Sequence, residues 1–162
     1  MQLHEYSFRM AQPVWETGTA HTMNRTVSFC TDIPLSDLPA GQQIRLAAAA
    51  SCSFVLLVNG QFVAHGPARC AHGFFRVDEY DLTPYLTAQV NRVCLRTAGY
   101  NVNSFSYLNQ PSFLCAEITA GEQVLAATGA GNARDFIAYG VGERIRRVQR
   151  YSFQRTMVES YD

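Results

Sequence analysis

The sequence predicts an all-β domain, an antiparallel β-sandwich, and three observations favour this class. Short apolar or alternating segments recur along the chain and are separated by turn residues. No segment keeps a helical period over the ~11 residues of an average helix. Two dipeptides, Asn59-Gly60 and Gly121-Glu122, join neighbouring segments directly and therefore predict hairpins. Strands of this kind pack as two layers around one core.

The first predicted strands flank one loop. Residues 25–30 alternate in polarity with period two, which is typical of a half-buried strand. Residues 34–41 contain two prolines, an aspartate and a glycine, which predict a loop. Ile44–Ala50 ends in four alanines, which favour helix by propensity. The run is short, however, and residues 51–58 are rich in β-branched and aromatic side chains, so we predict a strand buried on both faces.

The central segment, residues 54–100, contains the strongest turn signal. An apolar strand ends at Asn59-Gly60, and a second strand leaves at once through Phe62-Val63. Asparagine followed by glycine suits a type I′ turn because both central residues need a positive φ. Residues 81–86 then predict a short turn, and residues 90–100 predict another strand.

The last third predicts a second hairpin and two more strands. The hairpin strands are residues 112–119 and 123–128, and the further strands are residues 135–139 and 149–153. The glycine-rich stretch at residues 129–132 is too short for a phosphate-binding loop and lacks the following Lys-Ser/Thr. We therefore interpret it as a turn.

Length and charge narrow the class of protein. A chain of 162 residues has the length of one domain. On folding, a domain of this size buries roughly 70% of the surface that its unfolded chain exposes, so it needs no disulfide or metal ion to be stable. The formal net charge of zero argues against a nucleic-acid partner. No apolar run approaches the ~20 residues of a membrane span, and the N-terminus lacks the apolar region of a signal peptide. The sequence therefore predicts neither a nucleic-acid nor a membrane partner.

The cysteine pattern predicts unpaired, structural thiols. No two cysteines form a closely spaced pair, which disfavours a zinc site. The count is odd, and four of the five lie in apolar, strand-like runs, where free cysteine behaves as a small hydrophobe. This pattern favours a cytoplasmic location. The five residues are Cys30, Cys52, Cys70, Cys94 and Cys115.

The central segment also resembles a known family. The stretches concerned are Val58-Asn59-Gly60, Gly66-Pro67-Ala68-Arg69, residues 78–86 and Asn91-Arg92-Val93. Together they resemble the N-terminal module of bacterial α-L-rhamnosidases of glycoside hydrolase family 78. Residues 147–155 are similar to the segment by which that module passes into the next domain. The hairpin and the turn alone also resemble the sugar-binding-fold domain of β-galactosidases and β-glucuronidases, and the Gly-Pro-Ala-Arg element favours the rhamnosidases.

The resemblance implies a galactose-binding-domain-like jelly roll ahead of an (α/α)6 catalytic barrel. In that family the barrel carries the catalytic carboxylates, so no catalytic residue is assigned here and the chain is predicted to be inactive alone. The implied partner is the catalytic domain of the same polypeptide, which this module would brace, with weak carbohydrate binding as a further option; no cofactor is implied. We predict one domain over residues 1–162, with a lead-in at 1–24 and the start of a linker at 154–162.

Two alternatives remain open from the residues themselves. One is a stand-alone carbohydrate-binding module, and the other is a structural or protein-interaction domain without sugar binding. Seven residues are candidates for carbohydrate or domain contact, because aromatic rings beside arginine and asparagine are typical of both. They are Arg69, His72, Phe74, Phe75, Asn103, Phe105 and Tyr107. We expect their loops to meet the apolar tail residues Tyr151, Phe153 and Met157 at one end of the domain.

Other chemistry-bearing groups are interpreted structurally. Glu79 and Asp81 could lie ~7 Å apart on one strand face, a spacing that suits an inverting glycosidase. Asp81 precedes Thr83, however, where an aspartate commonly caps a turn. His65, Cys70 and His72 match no familiar metal site, so we predict no metal. Five arginines within residues 144–155 are expected to pair with acidic groups of the following domain or to stay solvated.

Overall fold

The computed structural model describes residues 5–131, 134–154 and 157–162. Asn132, Arg155 and residues 1–4, on which predictions were made, lie outside these ranges. Within them are short 3₁₀ helices at Leu35–Asp37 and Thr83–Tyr85, and no helix is long and apolar enough to cross a membrane. The strands described are β1 Arg25–Pro34, β2 Ile44–Ala50, β3 Ser53–Val58, β4 Gln61–Gly66, β5 Asp78–Asp81, β6 Val90–Gly99, β7 Leu114–Ala120, β8 Gln123–Ala127 and β9 Ile137–Gly140.

The strands form two antiparallel sheets packed face to face. One sheet has the order β4-β3-β6-β1-β9, and the other has the order β5-β2-β7-β8. In β3, every second residue is buried, so one face of the strand packs on the core. The largest cluster of buried apolar side chains draws on both sheets. The predicted β-sandwich is therefore confirmed.

The predicted turns have the backbone geometry that their residues suggested. Asn59 and Gly60 have φ angles of 52° and 79°, which places both in the left-handed region between β3 and β4. The Asp81 carboxylate accepts a hydrogen bond from the Thr83 amide at 2.9 Å. The β2 strand is buried on both faces except at Arg45, so the alanine run is a strand as predicted.

One predicted strand is wrong. Residues 149–153 form no continuous ladder, and only Arg150 there makes an isolated bridge, with Met157. A second isolated bridge joins Arg144 to Tyr161, so residues 157–161 lie antiparallel to residues 144–150. These tail residues pair with one another instead of joining an edge of either sheet.

The prediction of unpaired thiols is also wrong for two cysteines. Cys30 and Cys94 lie directly opposite each other on β1 and β6, with Cα atoms 4.2 Å apart, and form a disulfide. The strand register places them together although 64 residues separate them in sequence. Cys52 and Cys115 are buried free thiols, and Cys70 is an exposed one.

The lead-in covers the outer face of the four-stranded sheet. The Glu117 side chain on β7 is buried, and its carboxylate accepts hydrogen bonds from the backbone amides of Arg9, Met10 and Ala11 at 3.3, 2.6 and 3.2 Å. Ala11 then packs on Cys115 and Ala127 in a small apolar cluster outside the main core. The chain thus binds its own N-terminal segment through one buried carboxylate.

Candidate functional site

Three segments meet at one end of the sandwich. They are the loop after β4, the loop between β6 and β7, and the tail. The first two, with the residues just before β3, enclose a cleft of about 230 Å³, which we call the loop-end cleft. A second, more open depression shares Arg69 and Tyr107 with it and is completed by tail residues, among them Tyr151 and Met157. The predicted meeting of these segments is therefore confirmed, while the function of their residues stays a prediction.

The loop after β4 begins where backbone and side chains pack closely. A Cβ atom on Gly66 would lie 2.5 Å from the Tyr80 hydroxyl and 2.6 Å from an Asp78 carboxylate oxygen, so a larger residue there would displace these side chains. Arg76 pairs with Asp78 at 2.6 Å and closes the loop on the other side. Burial and the nearby Asp78 carboxylate raise the pKa of Tyr80 to about 12. These contacts fix the two ends of the loop that carries four of the candidate residues.

The loop places its aromatic residues on the rim of the cleft. A backbone hydrogen bond from Phe74 to the Ala71 carbonyl, at 3.0 Å, forms a tight turn. Phe75 packs edge-on against Phe113 with ring centroids 4.7 Å apart. The Phe74 side chain stays 57% exposed. Arg69, His72, Phe74 and Phe75 all line the cleft.

The loop between β6 and β7 is held by local hydrogen bonds. The Ser104 hydroxyl accepts hydrogen bonds from the amides of Ser106 and Tyr107, both at 3.0 Å. The Asn103 side chain accepts a hydrogen bond from the Asn109 amide at 2.8 Å. Asn103 therefore shapes the loop and does not line the cleft, unlike the other six candidate residues.

Tyr107 forms one wall of the cleft. Its ring packs against Tyr100 with centroids 4.9 Å apart, and its hydroxyl is hydrogen-bonded to the Ser53 side chain. Burial raises the pKa of Tyr107, and the Arg69 guanidinium opposes that shift. Arg69 and Tyr107 both line the cleft and the second depression.

An exposed aromatic pair links the loop to the tail. The Phe105 side chain is 74% exposed and packs edge-on against Phe153 with centroids 5.0 Å apart. The Arg150 guanidinium lies 5.0 Å from the Phe153 ring centroid, within cation–π range. We call this group, Phe105, Phe153 and Arg150, the aromatic ridge.

The tail arginines do not all match their prediction. Arg144 is only 6% exposed, donates a hydrogen bond to the Thr26 hydroxyl at 2.9 Å and pairs with Glu159 at 3.1 Å. The expectation of a partner-bound or solvated Arg144 is therefore wrong, because its partners lie in this chain. Sequence offers no signal for a contact across 118 positions. The cleft residue Cys52 was missed because no local pattern places it beside the two loops.

The acidic cluster lies outside the cleft. Glu79 and Asp81 are exposed on β5. Hydrogen bonds from Thr83 and Gln43 lower the pKa of Asp81, so its carboxylate caps a turn as predicted. Among the described residues, no three His, Cys, Asp or Glu side chains group in a way that could hold a metal ion. The groups available to bind a ligand are therefore those of the loop-end cleft, which combines aromatic rings with the Arg69 guanidinium.

A β-sandwich with one cleft-bearing end defines a domain-sized module. No family model matches the chain, and no curated protein matches it in sequence. Among solved structures, the GH78 family rhamnosidase of Bacillus sp. GL1 is similar, with a TM-score of 0.85 and 25% sequence identity. The similarity covers 98% of this chain and 16% of that one. The chain is thus the structural counterpart of one module of a GH78 rhamnosidase, as its sequence resemblance predicted.

Proposed function

We propose that this chain is a non-catalytic module of an α-L-rhamnosidase and braces the catalytic domain of the same polypeptide. The observation that supports this most is the structural match, in which nearly all of this chain corresponds to 16% of a rhamnosidase chain. A domain of this size inside a larger chain normally has an interface with its neighbours. The remaining question is which surface forms that interface.

The aromatic ridge is the surface best suited to that interface. Phe105 and Phe153 are both exposed large apolar residues, and Phe74 and Tyr151 are exposed nearby in the same end of the fold. Aromatic residues with arginine are enriched in the centre of interfaces, where they supply most of the binding energy. We infer that the ridge packs against the catalytic domain.

A binding experiment tests this interface. The coding sequence beyond residue 162 is read, the domain that it encodes is expressed separately, and its association with this chain is measured by titration calorimetry. Replacing Phe105 and Phe153 together by serine should weaken binding at least ~10-fold. Ile137→Ser is a matched control, because Ile137 is exposed on β9 and is not part of the ridge. Absence of a barrel-encoding sequence, or binding that both variants weaken equally, would contradict the proposal.

An activity assay tests the non-catalytic part. The chain alone should not hydrolyse an aryl α-L-rhamnoside, because Glu79 and Asp81, the pair that strand geometry suggested, are exposed and Asp81 caps a turn. Turnover that disappears in Glu79→Gln or Asp81→Asn would overturn this assignment.

Carbohydrate contact is a second candidate function. The loop-end cleft combines Phe74, Phe75 and Tyr107 with Arg69 and His72, which is the combination that binds sugars. Free rhamnose should bind more weakly than ~1 mM, because a neighbouring domain would complete the site. Micromolar rhamnose binding that Tyr107→Ala abolishes would instead favour a stand-alone carbohydrate-binding module.

A further inference from the structure

We propose that the loop-end cleft binds an acidic sugar, whose carboxylate pairs with Arg69 and whose ring packs against the aromatic rim. This inference deepens the carbohydrate contact proposed above by naming the class of ligand. Phe105 belongs to both the cleft lining and the aromatic ridge, whereas Phe153 belongs to the ridge alone, so the docking proposal can be tested separately through Phe153.

The charge of the cleft favours an anionic ligand. Its lining contains Arg69 and Arg76, and no aspartate or glutamate is among the described residues that line it. Asp78 neutralises Arg76 at 2.6 Å. Arg69 is exposed and forms no ion pair with any residue that the structure describes. One cation in the cleft is therefore left without a counter-charge.

The unbalanced positive charge is a local property of the cleft. The protein has a formal net charge of zero. A third depression, which includes the Glu117 carboxylate that binds the lead-in, is lined by Glu5, Glu79, Glu117 and Glu122 as well as two arginines. The adjoining depression that shares Arg69 also has no acidic residue among its described lining. An anion is thus matched at the loop end and not at the opposite depression.

The chemistry of arginine favours a carboxylate. Its planar guanidinium presents paired N–H donors that match the two oxygens of a carboxylate, and such charge-assisted bonds are about twice as strong as neutral ones. A neutral sugar would offer only hydroxyl groups to Arg69. Tyr107, which lines the cleft together with Arg69, is a further polar side chain there.

The shape of the cleft favours a single sugar ring. Its volume of about 230 Å³ is below the ~300–1,000 Å³ of pockets for drug-sized ligands. Phe74 and Phe75 are exposed on its rim and Tyr107 forms a wall, so the flat apolar face of a pyranose has rings to contact. A small carboxylate such as acetate lacks that face.

The test compares three probes at equal ionic strength by NMR titration of the full chain. D-Glucuronate and D-glucose differ by one carboxylate in place of a hydroxymethyl group, and acetate supplies the carboxylate without the ring. We expect glucuronate to bind at least ~10-fold more tightly than either, and its affinity to fall as salt rises. The shifted amide signals should be those of residues 67–76 and 104–110.

Matched variants assign the effect to one side chain. Arg69→Gln should reduce the affinity for glucuronate to that for glucose. Arg69→Lys should retain part of the affinity, because lysine keeps the positive charge but lacks the planar, paired N–H donors of arginine. Arg96→Gln removes another exposed arginine, from β6 and outside the cleft lining, and should leave binding unchanged. Thermal unfolding of each variant verifies its fold.

Several outcomes would overturn the inference. Equal affinity for glucuronate and glucose would show that the cleft does not distinguish charge. Acetate binding as tight as that of glucuronate would show that the rings contribute nothing. Absence of measurable glucuronate binding, or binding unchanged in Arg69→Gln, would place any acidic-sugar site elsewhere. In each case the ridge variant Phe153→Ser, which leaves the cleft lining intact, still tests the docking proposal independently.

Discussion

The buried carboxylate of Glu117 offers a sharp test of how the lead-in is held. Its two oxygens accept three backbone N–H groups from Arg9, Met10 and Ala11, the shortest of them at 2.6 Å. Glutamine has nearly the same shape but only one acceptor oxygen. In the better orientation of the glutamine amide, its oxygen still accepts the hydrogen bonds from the Met10 and Ala11 amides. Its NH₂ group then faces the Arg9 N–H, and two donors cannot form a hydrogen bond.

The expected cost follows from that geometry. Glu117→Gln removes one hydrogen bond to a charged acceptor and weakens two others by removing the charge. A hydrogen bond to a charged group contributes about 1.5–3 kcal/mol, so we expect the free energy of unfolding to fall by about 2 kcal/mol. For a domain of this size, that corresponds to a melting temperature lower by about 4–8 °C.

Urea denaturation and limited proteolysis measure the effect. Glu122→Gln is the matched control, because the Glu122 side chain is 96% exposed and its ion pair with Arg9 should contribute less than ~1 kcal/mol. Protease should cleave within residues 5–14 faster in Glu117→Gln than in the control. Equal stability of the two variants, with equal cleavage of the lead-in, would refute the role of Glu117 in holding the lead-in.

Three further predictions concern a turn, an ion pair and the disulfide. Gly60→Val should lower the free energy of unfolding by at least ~1 kcal/mol, because a β-branched residue resists a φ of +79°. Gly142→Val is the control and should change the free energy little, because Gly142 has open space around it and no positive φ. Equal effects of the two substitutions would place the turn elsewhere. A hydrogen bond from Arg25 lowers the pKa of Glu16 below 4.5. Urea titrations should therefore show the ion pair stabilising the fold above about pH 4.5 and losing that effect as the pH falls through the lowered pKa, a loss absent in Arg25→Gln. Thiol titration of the denatured chain should find three reactive thiols without reductant and five with it; five in both would exclude the disulfide.

The sequence alone specified the local elements well. Alternation along residues 25–30 predicted the start of β1, and the apolar run before Asn59-Gly60 predicted β3 and its turn to β4. These features depend on φ preferences and on period-two burial, both of which act over a few neighbouring residues. The cap at Asp81 is equally local, since donor and acceptor lie two positions apart.

The sequence also indicated part of the candidate site. The composition of residues 69–76 and 100–110 selected six residues that line the loop-end cleft. Composition could not show that the Asn103 side chain is used within its own loop. It also could not separate the cleft from the aromatic ridge, because both use the same residue types.

Only the tertiary structure decided the contacts between distant residues. The β1–β6 register sets Cys30 opposite Cys94, and the same fold brings Arg144 to Thr26 and Glu117 to the lead-in. Residues 149–153 have strand-like composition but pair within the tail, because a strand needs a partner edge as well as a pattern. Local preference is encoded residue by residue, whereas pairing depends on which of many possible neighbours the packed core leaves in reach.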